Sequence, residues 1–214
     1  MHKYDFTLIT DRKICENDFF MTIEQAIEGG VGTVQLREKD LSTKDLYWLA
    51  KKLREMTRDL GVNLVINDRV DIAMAIDAEG IHLGWQSLSV NVVRKMVGKE
   101  KLIGYSAHSL EDVKKALVEG VDYVSISPVF SALSKNQFIK PLGVIEIRKI
   151  KEQVKIPVIA LGGINEFNVK EVMKNGADGI AVISAIFLSK NPKQTACKIF
   201  NKIKNVRHYQ EIEF

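Results

Sequence analysis

Residues 33–67 read TVQLREKDLSTKDLYWLAKKLREMTRDLGVNLVIN, and this stretch decides the fold. It begins and ends with short runs rich in β-branched residues, Thr33–Leu36 and Leu64–Asn67, which are typical of buried strands. Between them, apolar residues recur at helical spacing from Thr43 to Leu60, after a start that resembles a capping box. The stretch therefore predicts one strand–helix–strand unit of a parallel sheet.

The same alternation of strand and helix patterns occurs eight times along the chain. Eight pairs in 214 residues favour a closed α/β barrel, the (β/α)8 or TIM barrel, over an open doubly wound sheet, which would use fewer strands and a glycine-rich turn after the first. No linker rich in Pro, Gly or Ser divides the chain, so we expect a single domain over residues 1–214. The predicted strands are Phe6–Ile9, Thr33–Leu36, Leu64–Asn67, Gly80–Leu83, Leu102–Tyr105, Tyr123–Ile126, Pro157–Ala160 and Gly179–Ile183.

Composition narrows the class of protein. Apolar residues make up 46% and charged residues 27%, which is ordinary for a globular domain. The net charge of +4 comes from lysines scattered along predicted helices, so we do not expect a nucleic-acid partner. Cys15 and Cys197 form no metal-binding or disulfide pattern, and the longest apolar runs are too short to span a bilayer. We therefore expect a cytoplasmic protein without a membrane partner; the oligomeric state stays open, a homo-oligomer included.

Polar residues follow the second and third predicted strands, at the end where barrels carry their sites. Gln35, Arg37 and Lys39 alternate in an extended segment, so they share the face that points into the barrel mouth and could grip phosphate oxygens. Asn67 and Asp68 place an amide beside a carboxylate, a pair suited to a hard cation such as magnesium. An N-cap of the next helix is an equally good reading of Asp68.

A second phosphate-binding region is predicted after the last two strands. Gly162 and Gly163 follow the seventh strand and Ser184 follows the eighth, where barrels commonly hold phosphate with backbone N–H groups.

His82, within a strand, is interpreted as a packed structural residue, whereas His108 could line the mouth. Residues 131–142 form a long irregular loop that is either functional or a tolerated insertion.

Five motifs occur in order along the chain, and together they resemble the thiamin phosphate synthase superfamily. The resemblance extends from Leu8 to Ile186. It implies a reaction in which hydroxymethylpyrimidine diphosphate and a thiazole phosphate are joined into thiamin phosphate, with release of pyrophosphate. The motifs are Val34–Lys39, Ile66–Asp71, Gly80–Gly84, Ser127–Phe130 and Ile159–Ile164.

The resemblance also implies roles for individual residues. Asp68 would bind Mg2+, and Arg37, Lys39, Ser106 and Lys135 would be the catalytic groups. The two substrates would be small phosphorylated molecules, a pyrimidine and a thiazole. The pyrimidine diphosphate would be held by Gln35, Arg37, Lys39, Asn67, Ser106 and Lys135, and the thiazole phosphate by Gly162, Gly163, Ile183 and Ser184.

Two positions depart from the synthase pattern. The synthase usually has a second magnesium-binding Asp after the fourth strand, where this chain has Ser87, as in the thiazole tautomerase branch of the superfamily. That branch uses a catalytic histidine after the sixth strand, where this chain has Pro128. Two further hypotheses therefore stand beside the synthase: a tautomerase-like enzyme with His108 as proton carrier, and a thiazole phosphate-binding regulatory protein without turnover. The role of Trp85, at the mouth, stays open.

Overall fold

The computed structural model describes residues 4–131 and 140–212, and these residues form one closed barrel of eight parallel strands. Each strand pairs with the next in sequence, and the eighth pairs with the first. This confirms the predicted (β/α)8 fold. The strands are β1 Phe6–Ile9, β2 Thr33–Leu36, β3 Asn63–Asn67, β4 Gly80–Leu83, β5 Leu102–Ala107, β6 Tyr123–Ile126, β7 Val158–Leu161 and β8 Gly179–Val182.

A helix follows every strand and packs on the outside of the barrel. Strand β5 is longer than predicted, which places Ser106 within the strand and not after it. Within the described residues, the helices are α1 Phe19–Glu28, α2 Thr43–Asp59, α3 Val70–Ala75, α4 Val90–Val97, α5 Leu110–Val118, α6 Val144–Lys151, α7 Val169–Lys174, α8 Ser184–Phe187 and the final helix α9 Pro192–Ile212.

Helix α2 begins at the predicted capping box. The Ser42 hydroxyl accepts a hydrogen bond from the Asp45 backbone N–H at 3.2 Å and donates one to Oδ2 of Asp45 at 2.6 Å. Such caps satisfy backbone donors that have no partner inside the helix. The final helix α9 packs against α1 and α7. No helix of the described part of the chain is long and apolar enough to cross a bilayer.

Side chains that point into the barrel divide into an apolar side and a polar side. Ile9, Ile159 and Ala181 form a small cluster with Tyr123, separate from the large core between strands and helices. The opposite side is polar because strands β2 to β6 point hydrogen-bonding groups inward. These inward polar residues are Gln35, Asn67, His82, Ser106 and Ser125.

The barrel is filled from its amino-terminal end. The ring of Tyr123 fits against Gly104, where a Cβ atom would come within 2.1 Å of Tyr123 Cζ. Tyr4 covers the base, its ring centre 4.7 Å from that of Tyr123. Because these rings occupy the lower barrel, the polar groups above them face the carboxyl-terminal mouth, where barrels carry their sites.

Candidate active site

Three side chains from β2 and the loop after it approach the mouth. Gln35 is buried, and its Nε2 donates to Oδ1 of Asn67 at 3.2 Å. The backbone N–H of Arg37 donates to Oγ1 of Thr10 at 2.9 Å, which fixes the start of the loop. Among the described residues, the half-buried guanidinium of Arg37 has neither an ion pair nor a hydrogen bond. A cation that is partly buried without an anion is suited to receive an anionic ligand.

The intervening residue, Glu38, lines the same region and fixes the loop through Arg12. Its Oε1 accepts from the Arg12 backbone N–H at 3.0 Å, and its Oε2 lies 3.7 Å from Nε of Arg12. Burial raises the pKa of the Glu38 carboxyl, and hydrogen bonds from Thr10 and Arg12 partly offset that rise. Because Glu38 is held by the first loop, the residues on either side of it stay turned toward the mouth.

Asp68 is held in a strained backbone conformation between the side chains of Asn67 and Ser87. Its φ of 62° is in the left-handed region, which non-glycine residues adopt at a cost of about 1–3 kcal/mol. Oδ2 accepts from Nδ2 of Asn67 at 2.7 Å, and Oδ1 accepts from the Ser87 hydroxyl. Helix α3 has no side-chain cap, so the N-cap reading of Asp68 is wrong. The backbone of Asp68 is strained and its carboxylate caps no helix, which points to a role in binding.

The oxygen atoms around Asp68 fit magnesium. They comprise one carboxylate and the Ser87 hydroxyl, which is also fixed by the Gly84 backbone N–H at 2.7 Å. Among the described residues, no three His, Cys, Asp or Glu side chains cluster as a complete metal cage. Magnesium at phosphate sites usually takes one or two carboxylates and completes its shell with water and substrate oxygens. The small donor set is therefore of the right kind for a metal shared with a phosphate.

A cavity of about 240 Å³ lies beside these groups, between the loops that follow β2 and β3. Its polar wall carries Lys39, Asn67, Asp68 and Arg69, and its apolar wall comes from three leucines. Arg69 is paired with Asp71 at 2.6 Å, which lowers the pKa of the Asp71 carboxyl. The Lys39 side chain is 57% exposed, compared with 32% for Arg69, so Lys39 is the more accessible cation of this wall.

Behind the mouth lies a buried polar cluster that sequence reasoning missed. His82 is not merely packed: Nδ1 lies 3.0 Å from the Tyr123 hydroxyl, and Nε2 lies 2.9 Å from Oγ of Ser106. Ser125 Oγ is 3.2 Å from the same Nε2. Burial lowers the pKa of His82 from 6.5 to about 4. The alternation of β4 and β6 could have signalled these inward positions, but the two strands are not adjacent in the sheet.

The second predicted region, at the ends of β7 and β8, forms a small pocket of about 30 Å³ lined by Gly162, Gly163, Ile183 and Ser184 among others. Among the described residues, the backbone N–H groups of Gly163 and Ser184 donate no hydrogen bond. Gly162 and Gly163 have positive φ angles, of 102° and 64° respectively. Free N–H groups that converge on a pocket can bind phosphate oxygens.

The glycine pair also has a packing role. A Cβ on Gly162 would lie 2.7 Å from Cα of Pro128, and one on Gly163 would lie 2.6 Å from the carbonyl oxygen of Ser131. The glycines therefore leave space for the loop after β6. That loop extends the backbone hydrogen bonding between β6 and β7, since the N–H of Phe130 donates to the Gly162 carbonyl at 3.0 Å.

Three further residues were predicted from the sequence to lie in or near the mouth. Lys135 lies outside the described residues, as do Ala132 to Gln137 around it. His108 is exposed, and its Nδ1 donates to the Ser127 carbonyl at 2.6 Å, just before the cis bond to Pro128. Trp85 is 77% exposed on the loop after β4, so it does not pack into the core.

Comparisons with known proteins agree with this arrangement. Residues 6–186 match the family model of thiamine monophosphate synthase. The chain is 42% identical over 202 residues to a thiamine-phosphate synthase of Clostridium acetobutylicum, covering 94% of this chain and 95% of that protein. It is 48% identical over 195 residues to one from Caldanaerobacter subterraneus, covering 87% and 89%.

A solved structure gives the same result. The thiamine phosphate pyrophosphorylase of Pyrococcus furiosus superposes with a TM-score of 0.87 at 35% identity, covering 95% of this chain and 97% of that one. Matches of this extent in both sequence and structure mean that the chain belongs to the thiamine monophosphate synthase family.

Proposed function

We propose that this chain is a thiamine-phosphate synthase, a transferase that joins hydroxymethylpyrimidine diphosphate to a thiazole phosphate. The C–O bond between the pyrimidine methylene and the diphosphate breaks, the thiazole nitrogen forms a C–N bond to the same carbon, and pyrophosphate leaves. The observation that supports the proposal is the presence of two pockets at the ends of the strands, one lined by Lys39 and Asp68 and the other by Gly163 and Ser184, together with the names of the relatives.

The diphosphate is assigned to the side formed by β2, β3 and β5. Negative charge develops on the leaving diphosphate, so fixed cations and donors near it lower the barrier. Arg37 supplies a guanidinium that pairs with no anion in residues 4–131 and 140–212, and Lys39 supplies an exposed ammonium. Gln35 and Asn67 hold each other in place below them, and Ser106 adds a hydroxyl. In this proposal Lys135 adds a further cation.

Mg2+ is assigned to Asp68, with the Ser87 hydroxyl as a second oxygen. When bound, magnesium would neutralise charge on the diphosphate oxygens. The left-handed backbone of Asp68 and the hydrogen bond from Asn67 aim the carboxylate toward the mouth. Ser87 must turn its proton away from Asp68 to bind a cation through its lone pairs, which is possible because a hydroxyl rotates freely.

The thiazole phosphate is assigned to the pocket at the ends of β7 and β8. The backbone N–H groups of Gly163 and Ser184, which donate to no described residue, supply donors, and Ile183 contributes to the wall. The apolar side of the barrel, with Ile159 and Ala181, lies directly below. An apolar floor excludes water from the pyrimidine methylene carbon, which becomes electron-poor as the diphosphate leaves. The exclusion of water protects this carbon from hydrolysis.

The decisive experiment mixes the purified protein with both substrates and follows pyrophosphate release and thiamin phosphate formation. We expect product with magnesium and its loss on chelation. An Arg94→Ala protein is the control, because Arg94 pairs with Asp122 at 2.5 Å, away from the mouth, and should retain turnover per folded molecule. Isomerised thiazole phosphate, or binding of thiazole phosphate without product, would overturn the synthase assignment and favour the tautomerase-like or regulatory alternative.

A further inference from the structure

The buried cluster below Ser106 specifies which atom carries each proton. The Tyr123 hydroxyl is buried, and among the described residues His82 Nδ1 is its hydrogen-bond partner, at 3.0 Å. A buried O–H group without an acceptor is unfavourable, so the phenol proton points at Nδ1. Nδ1 is therefore the unprotonated nitrogen of a neutral ring, and the ring proton is on Nε2.

The protonated Nε2 then determines the orientation of Ser106. Nε2 lies 2.9 Å from Ser106 Oγ and 3.2 Å from Ser125 Oγ, so the shorter contact is a donation to Ser106. Ser125 Oγ lies 3.5 Å from Ser106 Oγ and can donate to it weakly. Since Ser106 accepts from below, its own proton has no acceptor within the described part of the chain. That proton points into the mouth.

We propose that His82 and Tyr123 are positioning residues that hold Ser106 as a hydrogen-bond donor to the diphosphate. The role is transmitted through one chain of hydrogen bonds, from the phenol to Nδ1 and from Nε2 to Ser106 Oγ. A serine whose proton is already directed outward requires no reorientation when negative charge develops on a leaving group, and such preorganisation lowers the barrier. This inference rests on the proposed function for the identity of the ligand, but not for the tautomer.

Spectroscopy of the free protein tests the tautomer without any substrate. In protein labelled with 15N-histidine, long-range 1H–15N spectra distinguish Nδ1–H from Nε2–H rings. We expect His82 as the Nε2–H form in the unmodified protein and in Tyr4→Phe, a matched loss of a tyrosine hydroxyl at the barrel base. Tyr123→Phe should shift it toward a mixture. An Nδ1–H ring in the unmodified protein would overturn the proposal.

Binding of inorganic pyrophosphate, measured by calorimetry with magnesium present, tests the consequence. The amide nitrogen of Gln lies near the position of Nε2, whereas that of Asn lies near Nδ1. His82→Gln should therefore bind within about twofold of the unmodified protein, and His82→Asn and Tyr123→Phe roughly tenfold more weakly, the order expected for loss of one oriented donor to an anion. Equal affinities for the Gln and Asn variants would contradict the positioning role.

A double variant separates positioning from general packing. If His82 acts through Ser106, His82→Asn should weaken pyrophosphate binding no further in a Ser106→Ala background. Additive losses would overturn the proposal. Failure of the proposed function gives a different result: the tautomer and the pyrophosphate affinities follow the pattern above while no thiamin phosphate forms.

Discussion

The ammonium Nζ of Lys39 lies 3.8 Å from Oδ2 of Asp68, across the gap between the ends of β2 and β3. Both side chains are substantially exposed, so the ion pair contributes little to stability. It holds a cation against the carboxylate proposed to bind magnesium. In the proposed function, Asp68 would hold the metal and Lys39 would pair with the diphosphate, so each charge would keep a partner of opposite sign.

Asp68→Asn should raise the magnesium concentration at half-saturation by at least about tenfold, because a neutral amide is a weaker ligand than a carboxylate. Calorimetric titration of magnesium in the presence of pyrophosphate measures it directly. Asp71→Asn is the control, since Asp71 is paired with Arg69 and should leave the midpoint unchanged. In the opposite direction, Ser87→Asp should lower the midpoint. Identical midpoints for Asp68→Asn and the unmodified protein would remove Asp68 from the metal site.

Arg37→Ala and Arg54→Ala should separate function from stability. Arg37 has no internal partner in the described part of the chain, so its loss should leave the thermal midpoint nearly unchanged but reduce kcat/KM about 10- to 100-fold. Arg54 pairs with Glu79 at 2.7 Å, and its loss should lower the midpoint while kcat/KM of the folded protein remains. Steady-state kinetics and thermal unfolding of both variants check this; the assignment of Arg37 fails if its kinetics match those of the unmodified protein.

His82 should make the protein acid-sensitive. Its folded-state pKa of about 4 lies below its ordinary value of 6.5. Between these two pH values the unfolded chain therefore binds a proton at His82 that the folded protein does not bind. Stability is therefore full above pH 6.5 and is lost as the pH falls from 6.5 toward 4, by about 3 kcal/mol in total. Urea unfolding at several pH values, with metal chelated, should show a shallower acid dependence for His82→Gln. An unchanged slope would contradict the buried neutral state.

Gly162→Ala and Gly61→Ala compare two glycines with positive φ. Gly61 has open space around it, so alanine there should cost only backbone strain, about 1 kcal/mol. At Gly162 the added methyl would meet Cα of Pro128, which is backbone and cannot rotate away. We expect roughly 2–4 kcal/mol at Gly162 from strain plus overpacking. Denaturant unfolding measures both, and equal losses would mean that the loop after β6 yields easily.

Local pattern predicted the fold and much of the mouth. Strand positions follow from runs of β-branched residues, and the inward direction of Gln35 follows from the period of two within β2. Both depend on a few consecutive residues, so the sequence alone determines them. The same is true of the capping box at Ser42, whose two partners are three residues apart.

Contacts across the barrel were decided by the tertiary structure. His82, Ser106 and Tyr123 come from three strands, 24 and 41 residues apart along the chain, and meet only because closure of the barrel sets their relative heights. The sequence left Asp68 between a helix cap and a metal ligand; the structure shows no side-chain cap on α3 and places the Ser87 hydroxyl against the Asp68 carboxylate. The protons and charges of the site depend on neighbours of this kind, because burial and hydrogen-bond partners exist only once the chain has folded.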